Sequence, residues 1–212
     1  MYSLIITAAG NGNRFKANYN KVLHNINDKT IIELTIEKFI EFSEFCEIIV
    51  VINKNDINFF ENIKKKYPIT IVIGGNSRAE SVYNGLLEAK KDIVFIHDGA
   101  RCFISKKLIK KCINTIKKEK YEAYTLAISV VDTIKFGENG NLTKNLDRNK
   151  LYQIQTPQIF NKKELLSYIK KSKLDYTDEA TLFIENNKKV KIIDGDINNI
   201  KVTYRKDINN YE

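Results

Sequence analysis

The chain has 212 residues, of which 43% are hydrophobic, and this is enough to build one full hydrophobic core. No apolar run approaches the ~18–20 residues that span a bilayer, and no signal-peptide pattern is present, so we expect no membrane segment. The net charge of +9 raises the question of nucleic-acid binding. However, the lysines occur as scattered pairs on the polar faces of expected helices, so we expect no nucleic-acid partner.

The cysteine content favours a cytoplasmic protein. Cys46, Cys102 and Cys112 are widely spaced and form no C-x-x-C motif, so we expect reduced, mostly packed thiols. His24 and His97 are the only histidines, which leaves few ligands for a zinc site.

The first predicted strand, residues 2–8, runs into a loop whose composition is typical of phosphate binding. The small and cationic residues of this segment are Ala8, Ala9, Gly10, Gly12, Arg14 and Lys21. Small residues let backbone N–H groups approach an anion closely. The loop lacks both the third glycine of G-x-G-x-x-G and the G-K-[ST] of a P-loop. A glycine turn with two cations suits a nucleotide triphosphate, and an ordinary turn with surface cations is the alternative.

Short apolar runs alternate with segments of helical periodicity along the chain. Strands are predicted at residues 2–8, 47–53, 69–73, 92–97, 122–128 and 190–193. Helices are predicted after the N-cap residues Thr30, Ser105 and Asn161. This alternation predicts an α/β fold, with a mostly parallel sheet covered by helices on both faces. Ligands of such sheets bind beyond the carboxyl ends of the strands, where the glycine loop lies.

Two further loops are expected at the same edge of the sheet. The strand at 69–73 ends in a polar turn, residues 74–82, that opens a helix. The strand at 92–97 ends at Asp98, and a carboxylate in that place is costly without a partner. As a Mg²⁺ ligand, Asp98 would suit a triphosphate site, while a salt bridge to Arg101 or a helix cap are the alternatives. We interpret His97 as a packing residue.

Residues 130–155 interrupt the alternation of strands and helices. Two strand-like runs, 130–136 and 150–154, flank a polar turn and suggest a hairpin arm. An arm of this kind cannot bury its own faces, so we expect it to pair with a second subunit. We therefore expect one domain over residues 1–212, with a β-arm insertion at about 132–155.

Taken in order, these blocks resemble the 2-C-methyl-D-erythritol 4-phosphate cytidylyltransferase family over nearly the whole chain. The matching blocks are Ala8-Ala9-Gly10-x-Gly12-x-Arg14, Lys21, Gly74-Gly75-x-x-Arg78-x-x-Ser81-Val82, His97-Asp98-x-x-Arg101, Asp132-Thr133, Asp147-Arg148, Thr156-Pro157-Gln158, Thr177-Asp178-Glu179-Ala180 and Asn199-Ile200-Lys201-Val202-Thr203. The resemblance implies a Rossmann-like α/β fold and a homodimer held by the β-arm. It also implies Mg²⁺-dependent transfer of CMP from CTP to a sugar phosphate with release of pyrophosphate, in non-mevalonate isoprenoid synthesis.

The resemblance further implies roles for individual residues. The catalytic cations would be Arg14, Lys21 and Lys201, and Asp98 would lie near Mg²⁺ and the ribose. The nucleotide would be bound by Ala8, Ala9, Gly10, Gly12, Gly75, Asn76, Ser81, Asp98 and Ala100. The sugar phosphate would be bound by Arg101, Thr133, Arg148 and Thr156. Of these four, Thr133 and Arg148 would come from the arm of the partner subunit.

The chain departs from the family pattern at two places. The family usually has glycine and proline around the second catalytic cation, where this chain has Lys16, Asn20 and Val22. Cys102 replaces the proline that normally follows the arginine at position 101. Both changes affect loop stiffness, and neither removes a charged group.

Three other functions stay open on the sequence. Ribitol-5-phosphate cytidylyltransferase shares the fold, CTP and the mechanism, and differs in its acceptor. A non-catalytic nucleotide-binding module would be favoured by loss of Arg14, Lys21 or Lys201, and all three are present. A nucleic-acid-binding protein would need a continuous basic face with stacking aromatics, whereas the aromatic residues here are dispersed.

Overall fold

The computed structural model describes residues 1–10, 12–172 and 176–209. In this part of the chain the strands are β1 (Tyr2–Ala8), β2 (Asn25–Ile26), β3 (Lys29–Thr30), β4 (Phe45–Ile52), β5 (Thr70–Ile73), β6 (Ile93–Asp98), β7 (Ala123–Ser129), β8 (Lys135–Glu138), β9 (Asn141–Asn145), β10 (Tyr152–Asn161) and β11 (Val190–Asp194). The helices are α1 (Ile31–Ile40), α2 (Ile57–Lys66), α3 (Arg78–Glu88), α4 (Lys106–Lys118), α5 (Lys162–Ile169) and α6 (Glu179–Glu185).

Among the described strands, seven form one sheet in the order β11-β7-β10-β6-β1-β4-β5. Strand β1 pairs in parallel with β4 and β6, β4 with β5, and β7 with β11, while β10 runs antiparallel to both β6 and β7. The mostly parallel α/β sheet predicted from the sequence is confirmed. Each of the strands predicted in the sheet is present, with ends that differ by two residues or fewer.

The sheet has a hydrophobic layer on each face. Along β1, the side chains of Leu4 and Ile6 pack into one layer and that of Ile5 into the other, and all three are fully buried. Helices α1 and α4 contribute buried residues to the first layer, and α3, α5 and α6 contribute to the second. Burial of both faces explains why β1 and β4 are continuous apolar runs without polar alternation.

The helices begin where the capping residues predicted them. Thr30 accepts from the Glu33 backbone N–H, and the Glu33 carboxylate accepts from the Thr30 N–H, which completes a capping box. Ser105 accepts from the Leu108 N–H at 3.2 Å and caps α4. Asn161 accepts from the Glu164 N–H at 3.0 Å and caps α5.

The arm is shorter in the structure than we expected from the sequence. The described hairpin pairs β8 with β9 around Asn139 and Gly140, both of which have positive φ, as a tight hairpin turn requires. Residues 152–155, which we assigned to the arm, instead begin β10 and pair with β7 in the main sheet. The expected pairing of 130–136 with 150–154 is thus limited to the base of the arm, where the Val130 N–H donates to the Leu151 carbonyl at 3.2 Å.

The three cysteines form no disulfide with one another. Cys102 and Cys112 are buried, Cys46 is exposed, and all three are free thiols. In the ranges that the structure describes, every helix is too short or too polar to serve as a bilayer span.

Candidate active site

A cavity of about 420 Å³ opens beyond the carboxyl ends of β1 and β6, as expected for a sheet of this kind. Every residue that we assigned to the nucleotide or to catalysis lines it, namely Ala8, Ala9, Gly10, Gly12, Arg14, Lys21, Gly75, Asn76, Ser81, Asp98, Ala100 and Lys201. The sequence analysis did not assign Thr7, Val22, Ser77, Arg78 and Thr203, which also line it. The fold therefore brings four separate stretches of sequence to one place.

Gly12, in the loop after β1, packs against the backbone of Lys21. Gly12 has φ +64°, and a Cβ there would lie 3.0 Å from the backbone nitrogen of Lys21. Glycine is thus required at this position both by its conformation and by close packing. Among the described residues, and apart from the chain neighbours of Gly10, no atom would lie within 4 Å of a Cβ at Gly10, so packing does not require glycine there. The free space beside Gly10 belongs to the cavity.

The loop between β5 and α3 packs against the first loop. A Cβ on Gly74 would lie 2.7 Å from the Cβ of Ala9, so glycine permits the two loops to touch. The Ser81 hydroxyl donates to the Ser77 carbonyl at 2.8 Å and accepts from the Gly75 N–H at 3.2 Å. These bonds fix the first turn of α3 at the cavity wall.

Asp98 lies at the cavity floor, surrounded by three cations. Its Oδ2 atom lies 2.9 Å from Lys201 Nζ and 3.4 Å from Arg101 Nε, and its Oδ1 atom lies 3.8 Å from Arg78 Nε. Burial alone would raise the pKa of this carboxyl, but Lys201, Arg78 and Arg101 together hold that pKa well below its usual range. Asp98 is therefore ionised at any pH at which the protein functions. The salt bridge to Arg101, one of the alternatives considered for Asp98, is present.

A buried hydrogen-bonded chain supports Asp98 from behind. The Thr156 hydroxyl accepts from the Asp98 backbone N–H at 3.0 Å and lies 3.0 Å from His97 Nδ1, and His97 Nε2 lies 3.3 Å from the Arg101 carbonyl. Burial lowers the pKa of His97 to about 4, so the ring is neutral. This network assigns the proton to Nε2, and His97 packs as expected.

Two residues assigned to the sugar phosphate, Arg101 and Thr156, lie beneath the cavity. The Arg101 guanidinium donates to the carbonyls of Asn199 at 2.7 Å and Ile154 at 3.3 Å, besides its contact with Asp98. Both side chains are buried and neither lines the cavity. The structure thus gives them supporting contacts, and their predicted contact with substrate stays a prediction.

Lys201 reaches Asp98 from a segment near the end of the chain. Residues 199–203 form an irregular segment after β11. The Val202 N–H donates to the Ala100 carbonyl at 2.8 Å, which anchors Lys201 beside Asp98. The Thr203 N–H donates to Asp207 Oδ2 at 2.7 Å, which also holds the segment after Lys201 in place.

Lys21 is half-buried near two other positive charges. Burial, and then repulsion from Lys201 and Arg14, lower its pKa to about 8, although Asp98 and Asp207 oppose the change. A group of cations held this close is unfavourable without an anion between them, so the arrangement is suited to a highly charged ligand.

The sequence analysis missed a buried ion pair at the cavity wall. The Arg78 guanidinium donates to both carboxylate oxygens of Glu179, at 2.7 and 3.0 Å, and the Glu179 side chain is fully buried. Arg78 thus bridges Glu179 at the start of α6 and Asp98 at the cavity floor. Both residues lie in recognised sequence blocks, but nothing in their spacing indicated that they pair.

Thr133 and Arg148 flank the β8–β9 hairpin and lie outside the cavity of their own chain. Both are exposed, and the Arg148 guanidinium donates to the Val131 carbonyl at 2.9 Å. The structure therefore does not bring these two residues together with the other assigned site residues.

The chain is similar to known proteins over nearly its whole length. Residues 2–212 match the family profile "IspD: 2-C-methyl-D-erythritol 4-phosphate cytidylyltransferase". The chain belongs to this family. A 2-C-methyl-D-erythritol 4-phosphate cytidylyltransferase of Clostridioides difficile is 39% identical over 99% of this chain and 91% of its own length. A bifunctional IspD/IspF enzyme of Pelagibacter ubique is 39% identical over 96% of this chain and 55% of its own length.

Solved structures agree with the family assignment. The 4-diphosphocytidyl-2C-methyl-D-erythritol synthase of Anaerococcus prevotii superposes with a TM-score of 0.86 at 32% identity, covering 100% of this chain and 96% of that one. The IspD family is a family of nucleotidyltransferases, so the chain is a cytidylyltransferase enzyme of isoprenoid precursor synthesis, with CTP as a substrate. The alternative acceptor, ribitol 5-phosphate, is not favoured by these relatives.

Proposed function

We propose that this IspD-family cavity transfers CMP from CTP to 2-C-methyl-D-erythritol 4-phosphate, with Arg14, Lys21 and Lys201 as its catalytic cations. The observation that carries the proposal is that these three residues line one cavity beside the ionised Asp98. An oxygen of the acceptor phosphate attacks the α-phosphorus of CTP. The bond from that phosphorus to the bridging oxygen breaks, and pyrophosphate leaves.

The catalysis proposed for this chain is mainly positioning and charge neutralisation. The reaction brings two polyanions together and needs no protein nucleophile. Arg14 presents a planar fork that can bind two phosphate oxygens, whereas Lys21 and Lys201 act as compact charges. Hydrogen-bond donors and charges that are already in place stabilise the transition state without having to move. Such electrostatic stabilisation is commonly the largest contribution to the rate enhancement of an enzyme. Backbone N–H groups of the loop after β1 complete the phosphate cradle.

Asp98 is the proposed ligand of Mg²⁺. A nucleotide-bound Mg²⁺ usually takes one or two carboxylates, with phosphate oxygens and waters as its other ligands. Among the described residues that line the cavity, Asp98 is the only carboxylate, and its Oδ1 atom lies 3.8 Å from Arg78 Nε. This donor set fits a metal ion held mainly by the triphosphate. When bound, the ion would neutralise phosphate charge.

A homodimer that places each arm over the partner's cavity is part of the proposal. The arm and its base expose large apolar side chains that a second chain could cover, among them Val131, Phe136 and Leu142, which are 75%, 48% and 76% exposed. Thr133 and Arg148 lie on this arm and outside their own cavity, so in a dimer they could bind the acceptor phosphate of the partner's site. Location in the cytoplasm stays a prediction from the cysteine content.

The test is pyrophosphate release from CTP and Mg²⁺, with methylerythritol phosphate and ribitol phosphate supplied in parallel. We expect rapid release with methylerythritol phosphate and little with ribitol phosphate. A preference for ribitol phosphate would keep the mechanism but contradict the acceptor. Absence of release with either acceptor would contradict the catalytic proposal.

A further inference from the structure

The loop that carries Lys21 is tied to the nucleotide-binding strand by one buried amide, that of Asn20. The Asn20 side chain is 6% exposed, and its Nδ2 atom donates to the Ala8 carbonyl at 2.7 Å and to Asp56 Oδ2 at 2.9 Å. Its Oδ1 atom accepts from the Val22 backbone N–H at 3.3 Å and caps the short turn Lys21–Leu23. Both donors of the amide are therefore used, and so is its acceptor.

These three bonds join parts of the chain that differ in function. Ala8 lies at the end of β1 and lines the cavity. Asp56 precedes α2 and lies outside the cavity. On its other side, the backbone of Lys21 packs against Gly12, where a Cβ would lie 3.0 Å from the Lys21 nitrogen. Lys21 is thus held between Gly12 and the amide of the residue that precedes it.

We propose that Asn20 is a positioning residue that sets where Lys21 meets the reacting phosphates. The inference rests on the proposed function of Lys21 as a catalytic cation. Asn20 does not line the cavity, so it acts through Lys21 and not on the substrate directly. A displacement of about 1 Å in a catalytic group can cost about 10²-fold in rate, which makes a three-way anchor next to Lys21 consequential.

The experiment measures kcat and KM for CTP in Asn20→Ala and Asn20→Asp. We expect kcat to fall about 10- to 100-fold in both, with KM for CTP changed less than kcat. Aspartate keeps the cap to Val22 but cannot donate to Ala8, and it faces the Asp56 carboxylate. A wild-type kcat in Asn20→Asp would show that only the cap matters and would overturn the inference.

Asn161→Ala is the matched control, since Asn161 also caps a helix and has nearly the same backbone angles, φ −68° and ψ 122° against φ −63° and ψ 123° for Asn20. We expect Asn161→Ala to retain wild-type kcat. An equal fall of kcat in Asn161→Ala would assign the effect to general loss of a cap and would contradict positioning.

A double-mutant cycle separates this inference from the proposed function itself. If Asn20 acts through Lys21, Asn20→Ala will lower kcat no further in a Lys21→Ala background. Additive losses would overturn the positioning role. If Lys21→Ala retains wild-type turnover, the proposed function of Lys21 fails. If Lys21→Ala is slow and Asn20→Ala is as fast as wild type, only the Asn20 inference fails.

Discussion

The acid–base state of Lys21 sets the pH range in which the free enzyme can act. Its pKa is lowered to about 8, first by burial and then by Lys201 and Arg14. The protonated ammonium is the form that neutralises phosphate charge. As the pH rises through this pKa, the free enzyme loses that charge, and its affinity for the transition state decreases.

We therefore expect kcat/KM for CTP to fall above about pH 8, with an apparent pKa set by Lys21. Lys21→Arg should remove this fall, even if its absolute activity is lower, because a guanidinium stays protonated throughout the range. The measurement is kcat/KM for CTP between pH 6 and about 10 for both proteins. The same alkaline fall in Lys21→Arg would assign the titration to another group.

At the residue scale, sequence reasoning located the cavity but not the bonds that shape it. Chemistry-bearing residues such as Arg14 and Asp98 stand out because glycine loops and strand ends accompany them. The Arg78–Glu179 pair joins residues 101 positions apart, and local spacing carries no information about such a contact. Asn20 was recognised only as a departure from a pattern, since its bonds to Ala8 and Asp56 join residues that are distant in the sequence.

At the element scale, the junction of α3 and α6 depends on the Arg78–Glu179 ion pair. The Glu179 carboxylate is fully buried, and its removal would leave the Arg78 guanidinium with the longer, 3.8 Å contact to Asp98 as its remaining ion pair among the described residues. Glu179→Ala should lower the free energy of unfolding by about 3 kcal/mol, measured by urea denaturation.

Glu122→Ala is a matched control for Glu179→Ala, because Glu122 pairs with Lys188 on the surface. We expect its unfolding midpoint to stay close to that of the wild type. Equal destabilisation by the two substitutions would show that the burial of Glu179 has no special effect.

The strands that are buried on both faces could be predicted from the sequence, whereas the place of β10 in the sheet could not. Strands such as β1 and β4 are continuous apolar runs, which is the pattern of a parallel strand covered by helices. Strand β10 instead contains Gln155, Pro157 and Gln158, and its first residues were assigned to the arm because they follow a polar turn. Both glutamines are buried, and their amides donate to the Asp196 carbonyl and the Thr125 hydroxyl. These partners come from distant segments, so the periodicity alone could not reveal a central strand.

At the scale of the whole molecule, the proposed dimer builds each site from two chains. Arg14 would come from one subunit and Arg148 from the arm of the other. Arg14→Ala and Arg148→Ala should therefore each be nearly inactive alone, and mixing the two variants should restore activity. In a random mixture, half of the dimers are mixed and one of their two sites is intact, so about a quarter of wild-type turnover is expected.

The measurement is turnover after the two variants are unfolded and refolded together, with each variant refolded alone as the control. If the dimers have exchanged subunits and the mixture still shows no turnover, Arg148 acts in the site of its own chain. If turnover recovers although sedimentation shows no dimer, the proposal that the arm of one subunit completes the site of the other is contradicted.

The charge of the whole molecule should affect the encounter with CTP more than the chemical step. The net charge is +9, and fields of this kind draw anionic substrates toward the surface. Raising the ionic strength shortens the screening length from about 10 Å at 0.1 M to about 3 Å at 1 M.

We expect KM for CTP to rise severalfold over this range of ionic strength, while kcat changes less. Steady-state kinetics at fixed free Mg²⁺ will check this, and unfolding curves at both ionic strengths will show whether the fold is unaffected. A constant KM would mean that local contacts alone determine the binding of CTP.

The place of β10 in the sheet also affects how the protein is made. On the ribosome, β1, β4, β5 and β6 can pair with one another once Asp98 has emerged, since each finds its neighbours within the first half of the chain. Strand β7 has no neighbour until β10 is synthesised, and β10 must then enter between β6 and β7. A nascent chain that ends before Tyr152 therefore presents the open edge of β6. That edge is the surface on which chaperone binding or aggregation during synthesis would begin.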